Sequence, residues 1–154
     1  MTEKLDSFDL KILAELQANG GLSNQELADR VGLSPSPCSR RIRDLEHAGV
    51  IRERVVRLEP RAVGLDLTVL IHIRMDRHTP ERFAQFEGVV GGFPEVLECY
   101  LMTGPRDYWL RVVVPDIQGY DTFYKKLIAT VPLKNVTSRF AMEKIKSTTS
   151  LPIP

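Results

Sequence analysis

Two prolines, Pro35 and Pro37, stand immediately upstream of an arginine-rich stretch, Cys38-Ser39-Arg40-Arg41-Ile42-Arg43-Asp44-Leu45-Glu46, and together they leave this part of the chain few choices. Proline breaks a helix interior but is accommodated in the first turn, where backbone N–H groups have no intrahelical acceptor. The segment therefore predicts a helix with Ser34 as its N-cap and the prolines at its first and third positions. Because Pro37 has no N–H, the Ser34 hydroxyl is expected to accept from the N–H of Ser36. Cys38, Ile42 and Leu45, spaced by four and three, make one apolar seam, while Ser39, Arg40, Arg41 and Arg43 project elsewhere and are free to meet a partner. Such a pattern alone fits either a solvated charged face or a DNA recognition helix.

The preceding residues favour the second. Residues 7 to 19 place Leu10, Leu13, Ala14 and Leu16 on one face, flanked by Phe8 and Ile12, and stop at Gly20-Gly21. Ser23-Asn24-Gln25-Glu26 is a capping box that opens a short helix through Leu27, Ala28 and Val31, ended by Gly32. Only Val31-Gly32-Leu33-Ser34 separates it from the arginine-bearing helix, so the two must cross steeply as a helix-turn-helix. After Ala48-Gly49, the β-branched residues 50 to 58 predict a wing strand whose Arg52, Arg54 and Arg57 can follow a phosphate backbone.

In such a motif the start of the second helix faces base edges in the major groove of double-stranded DNA. The candidate contacts are Ser34, Ser36, Pro37, Ser39, Arg40, Arg41 and Arg43. An arginine fork can bond guanine O6 and N7 together. Serines and helix N-termini, here Ser23, Asn24 and Gln25 as well as Ser34, suit phosphate, which fixes register without reading sequence.

The 21 Lys and Arg against 20 Asp and Glu give a net charge of +1, which excludes a protein that coats nucleic acid through bulk charge. Binding must come from local arrangement, and six arginines lie between Arg40 and Arg57. So small a patch binds weakly as a monomer, which predicts a dimer on two half-sites. Cys38 and Cys99 lie in apolar surroundings without metal-ligand spacing to each other or to His47, His72 or His78, so buried reduced thiols and no metal or cofactor are expected. Met1-Thr2-Glu3-Lys4 carries no leader signal and no apolar run is long enough for a bilayer, so a cytoplasmic protein with no membrane partner is expected.

The second half of the chain changes period. Leu67 to Met75 is a strand with apolar odd positions, Thr79 caps a helix with Phe83, Phe86, Val89 and Val90 inward, and Val96 to Met102 is a second strand. A third strand runs from Tyr108 to Val114, Asp116 caps a helix with Ile117, Tyr120, Phe123, Tyr124, Leu127 and Ile128 inward, and Val136 to Ile145 is the last strand. The order βαββαβ is a ferredoxin-like sandwich, so the chain is α+β: a winged helix-turn-helix over 1–50, a wing and linker strand over 51–65, and the sandwich over 66–154. The sheet face away from the helices would carry Leu70, His72, Tyr100, Met102, Trp109 and Val113, enough apolar surface to need a cover, most simply a second subunit. His72 is expected there as a hydrogen-bonded core or interface residue.

The series Leu33-Ser34-Pro35 to Arg41, Leu45-Glu46, Gly49-Val50-Ile51, Thr103-Gly104, Asp107-Tyr108, Phe140-Ala141-Met142, Lys144-Ile145-Lys146 and Thr148 to Pro152 closely resembles the Lrp/AsnC (leucine-responsive/asparagine-responsive) family of prokaryotic transcription regulators over essentially the whole chain. That resemblance implies a DNA-binding regulator, not an enzyme. It also implies a RAM-type sensor sandwich, dimers formed through the sheets and assembling to tetramers or octamers, and a small effector, usually an amino acid, held between dimers. Carried onto this chain, the effector loop is Thr103, Gly104, Pro105, Arg106, Asp107 and Tyr108, with Val136, Thr137, Ser138 and Phe140 contributed by a neighbouring dimer. Asp107 could accept from an α-ammonium and N–H groups beside Gly104 could hold a carboxylate. From the residues alone, Gly104 and Asp107 read more simply as a turn between strands. Two places depart from the family pattern: Pro105-Arg106 puts a rigid residue and a cation where small or acidic residues are frequent, and the Pro132-Leu133-Lys134 turn is about one residue short. Two other functions share the architecture: a nucleoid-like DNA-wrapping protein without effector, and a siroheme decarboxylase, for whose tetrapyrrole chemistry three histidines are poor equipment.

Overall fold

The computed structural model describes residues 5–153; Met1 to Lys4, where no leader signal was expected, and Pro154 lie outside the described residues. The chain forms two compact units, one built from the residues up to Arg57 together with the segment from Lys146 onward, the other from Leu58 to Ile145. The C-terminal segment thus leaves the sandwich, to which the boundary at 66–154 assigned it. Gln17 holds it through paired amide bonds: Leu151 N–H donates to Gln17 Oε1 at 2.6 Å and Gln17 Nε2 donates to the Leu151 carbonyl at 3.1 Å.

The first unit has three helices, α1 (Ser7–Ala18), α2 (Asn24–Val31) and α3 (Pro35–His47). Asp6 caps α1 in a reciprocal box with Asp9, a signal present in the sequence as two aspartates three residues apart. Ile12 is fully buried while Ala14 is exposed, so the apolar face of α1 is rotated from the expected one and Ile12 is its centre rather than its flank. Leu27, Ala28 and Val31 of α2 and Cys38, Ile42 and Leu45 of α3 close the core around it. Gly32, at φ +76°, supplies the left-handed turn between α2 and α3, and Leu33 N–H bonds back to the Ala28 carbonyl at 2.9 Å.

No wing strand forms. Residues 52 to 59 run without ladder bonds to any described strand, because β-branched content only favours a strand once a partner edge exists, and the described residues offer none there. Val55, Val56 and Leu58 consequently stay exposed, Val56 at 86%.

The second unit follows with a short 3₁₀ turn (Pro60–Val63), β1 (Leu67–Met75), α4 (Pro80–Gly91), β2 (Val96–Leu101), β3 (Tyr108–Val114), α5 (Ile117–Thr130) and β4 (Leu133–Phe140). The strands form one antiparallel sheet in the order β2-β3-β1-β4. Because strand side chains alternate, Val69, Ile71, Ile73 and Met75 of β1 and Tyr108, Leu110, Val112 and Val114 of β3 fall on one face. They pack on Phe86 and Val90 of α4 and Phe123 and Leu127 of α5. Ile117 and Ile128, expected inward, are 62% and 45% exposed. The helix buries only a narrow stripe at Phe123 and Leu127, and both isoleucines fall outside it.

β4 begins three residues earlier than expected and ends at Phe140 instead of Ile145. An irregularity between Arg74 and Met75 lets Leu133 pair with Met75, so residues read as turn join the ladder. Cys99 is exposed on the edge strand β2, not buried. On the sheet face away from the helices, Leu70, His72 and Trp109 are half-buried and Tyr100 and Met102 are 52% and 44% exposed, whereas Val113 is buried within the chain itself. His72 makes no hydrogen bond to a described side chain. Its register partners, Trp109 and Thr137, flank it instead.

Candidate functional site

The helix-turn-helix carries the first candidate site. Ser34 adopts the extended cap conformation but its hydroxyl makes no capping bond; Pro35 and Pro37 leave only the Ser36 N–H to accept from, and that bond does not form. Asn24 Nδ2 instead donates to the Pro35 carbonyl at 2.9 Å, pinning the start of α3 to the start of α2. Ser23 is occupied with Glu26 in the capping box: its N–H donates to Glu26 Oε2 at 2.8 Å and its hydroxyl accepts from Glu26 N–H at 3.2 Å. The first of these bonds is the main reason the Glu26 carboxyl lies below the usual range. Gln25 donates to Asp29.

The three arginines of α3 expected to be free divide into two kinds. Arg40 and Arg43 are exposed on α3 and pair with no described carboxylate. Arg41 is not free. Its guanidinium donates to Asp6 and Asp9 at 2.8 Å each and lies 5.6 Å from the Phe8 ring, so it ties α3 to the cap of α1. The Asp6 carboxyl is held below its ordinary range, chiefly by the backbone N–H of Asp9 and then by Arg41. A depressed carboxylate stabilises the fold above its unfolded value and loses that contribution as pH falls through the lowered one, so the clamp is complete at neutral pH and fails in acid. Arg41→Ala is accordingly expected to lower the thermal midpoint, and Arg43→Ala to leave it unchanged; paired melting curves at neutral pH check this. Among the arginines beyond α3, Arg52 is exposed and Arg54 lies 3.6 Å from Glu46.

The second candidate site is the loop between β2 and β3. Met102 N–H donates to the Asp107 carbonyl and Asp107 N–H to the Ile73 carbonyl, both at 2.8 Å, closing the loop onto β1. Gly104 has φ +102°, which side chains rarely adopt. Thr103 and Pro105 are exposed. Asp107, expected to accept from a ligand, is already satisfied: Oδ2 accepts from Met75 N–H at 2.6 Å and Oδ1 contacts His78 Nε2 at 2.8 Å. Tyr108 points away from the loop into the core, where its hydroxyl donates to Glu87 at 2.7 Å and its ring lies 4.4 Å from Phe86; burial, then Glu87, pushes its pKa up.

Arg106 reaches β4 and donates to Asn135 Oδ1, which also accepts from Thr137 Oγ1 at 3.0 Å. Loop and Thr137 therefore meet within one chain. Ser138 bonds Tyr120 on the helix side, and Phe140, which also packs on Tyr120, pairs with Val69 well down the strand, so neither meets the loop of its own chain. His78 and Asn135 were not picked out from the sequence. Each lies 29 residues from its loop partner, and only the strand register brings them there.

Comparison with known proteins matches both halves of the chain. A family model described as the Lrp/AsnC ligand binding domain matches residues 68–151, and one described as winged helix-turn-helix DNA-binding matches residues 5–52. The chain belongs to the Lrp/AsnC family. This Lrp/AsnC regulator is 47% identical to the DNA-binding transcriptional activator DecR of Escherichia coli over 97% of its own length and 99% of the relative's. Its fold matches an AsnC family transcriptional regulator from Agrobacterium tumefaciens with a TM-score of 0.93 at 51% identity, covering 96% and 97% of the two chains. It also matches a Neisseria meningitidis transcriptional regulator solved as an L-Met complex, with a TM-score of 0.92 at 40% identity and 97% of each chain covered. The protein is a DNA-binding transcription regulator, and these relatives set aside the decarboxylase alternative. Among the described residues no helix is long and apolar enough to cross a membrane.

Proposed function

We propose that this regulator binds operator DNA as a dimer or larger assembly through Ser36, Ser39, Arg40 and Arg43, and that a small metabolite at the Thr103 to Asp107 loop alters how its subunits associate. The observation that carries the DNA part is the exposure of Arg40 and Arg43, without carboxylate partners among the described residues, on the face of α3 opposite its buried Cys38, Ile42 and Leu45. Ser34 and Pro37 border that face, while Ser23, Asn24, Gln25, Arg52 and Arg54 supply its phosphate-holding rim.

Assembly is supported by unpaired surface. The open sheet face leaves Tyr100 and Met102 exposed beside half-buried Leu70 and Trp109, and the linker leaves Val55, Val56 and Leu58 without strand partners. A second copy covers both kinds of surface. Effector control is supported by the L-Met complex of the Neisseria relative and by Thr137 and Asn135 meeting the loop here. Ser138 and Phe140 serve it only from another subunit. Linkage between the two ligands then runs through assembly state, and action on DNA fits a cytoplasmic protein.

Sedimentation with and without amino acids, followed by footprinting on the regulator's own upstream DNA, tests this. The expected result is a dimer or larger particle whose size or DNA affinity changes with a ligand, and loss of that change in Gly104→Val, which cannot hold φ +102° without strain. A monomer with no ligand response would sink the proposal.

A further inference from the structure

The effector loop is electrically lopsided. Its acidic residue, Asp107, spends one oxygen on the Met75 N–H and the other on His78, and is mostly shielded from solvent. Its basic residue, Arg106, has no carboxylate within ion-pair distance among the described residues and is held only by the neutral amide oxygen of Asn135. The surroundings carry the same sign. Arg74 is the register partner of Asn135, Lys134 precedes it, and Arg77 follows β1, all exposed. Of the other carboxylates here, Asp76 lies 3.9 Å from Arg82 and Glu87 accepts from Tyr108. A neutral amino acid brings one carboxylate and one ammonium, whereas at this loop the acceptor is spent and positive charge is in surplus, which favours a ligand whose carboxylates outnumber its ammonium groups.

We infer that the loop takes a small carboxylate of net negative charge, an acidic amino acid or a 2-oxo acid, with Arg106 as its counter-ion, rather than a neutral zwitterion held through Asp107. The inference rests on the loop being the effector site proposed above. Asn135 holds the guanidinium in place, so little side-chain freedom is lost on binding. Arg106 is the loop's cation, and the one side chain that holds it is a neutral amide.

Calorimetry on the full-length protein with L-glutamate, 2-oxoglutarate, L-leucine and L-methionine decides it. Glutamate or 2-oxoglutarate should bind more tightly than the two neutral amino acids. Arg106→Gln should weaken that binding at least about tenfold, the scale of one lost charge-assisted hydrogen bond, and Arg106→Lys should recover part of it. Binding of 2-oxoglutarate as well as glutamate would mean that the ammonium is dispensable, and binding of glutamate alone would identify an acidic amino acid. Unliganded melting curves show whether each variant folds. Tighter binding of leucine or methionine, unaffected by Arg106→Gln but lost in Gly104→Val, overturns the charge assignment and keeps the loop as the site. Binding that survives Gly104→Val, or no binding by any probe, overturns both.

Discussion

Arg40→Ala is expected to lower affinity for operator DNA by roughly ten- to hundredfold per half-site, the range set by about 1–3 kcal/mol for an arginine that reads a base edge. The reasons are local. Arg40 is exposed on α3, pairs with no carboxylate among the described residues, and stands two residues beyond Cys38, whose complete burial fixes the rotation of the helix. If Arg40 reads a base, the loss is sequence-specific and competitor DNA of random sequence is bound nearly as well as before. If it meets only phosphate, both affinities fall together and the salt dependence becomes shallower by about one counter-ion. Footprinting and titration at two salt concentrations separate these cases, and unchanged operator affinity would remove α3 as the recognition helix. Melting should not change, which distinguishes Arg40 from Arg41 and its carboxylate partners on α1.

Phe86→Ala destabilises the sandwich by about 3–5 kcal/mol, the usual cost of emptying an aromatic site in a packed core. Phe86 is completely buried where α4 meets the sheet, its ring 4.4 Å from that of Tyr108. Removing it leaves a cavity against Tyr108, the residue directly after Asp107, so the β2–β3 loop should loosen as the melting midpoint drops by something on the order of 10 °C. Ile117→Ala is the matched control: it is 62% exposed and should change stability by no more than about 0.5 kcal/mol. Equal losses from the two substitutions, in thermal or urea unfolding, would contradict the packing described for α4 and α5.

What could be read from the sequence was what depends on neighbours in the chain. β3 runs from Tyr108 to Val114 as its alternation dictates, and the α2–α3 turn sits where Gly32 demands a left-handed residue. The α3 seam is likewise the expected one, because four-and-three spacing has a single helical interpretation. What could not be read depends on partners far along the chain. Residues 52 to 59 have strand-like composition, but composition does not supply a neighbouring edge. The pull of Asp6 and Asp9 on Arg41 spans more than thirty residues. Asp107 looked available for a ligand because its two partners come from the end of β1 and the residues after it. Its removal would therefore loosen the loop whatever the ligand, so Asp107→Ala is a weak test of effector binding and Arg106 a better one.

The proline-rich start of α3 gives that helix a chemically blunt tip. Pro35 and Pro37 have no N–H, Cys38 donates to the Ser34 carbonyl, and the Ser36 N–H alone remains in the first turn for an incoming oxygen. A recognition helix commonly grips a phosphate end-on with several such donors. In the proposed binding mode that grip would pass to α2, where the N–H groups of Asn24 and Gln25 are left over by the Ser23–Glu26 box. DNA would then be held by the flank of α3 and the tip of its neighbour. The Asn24 to Pro35 bond, together with the Gly32 turn and the shared core, keeps those two helix starts in register for it.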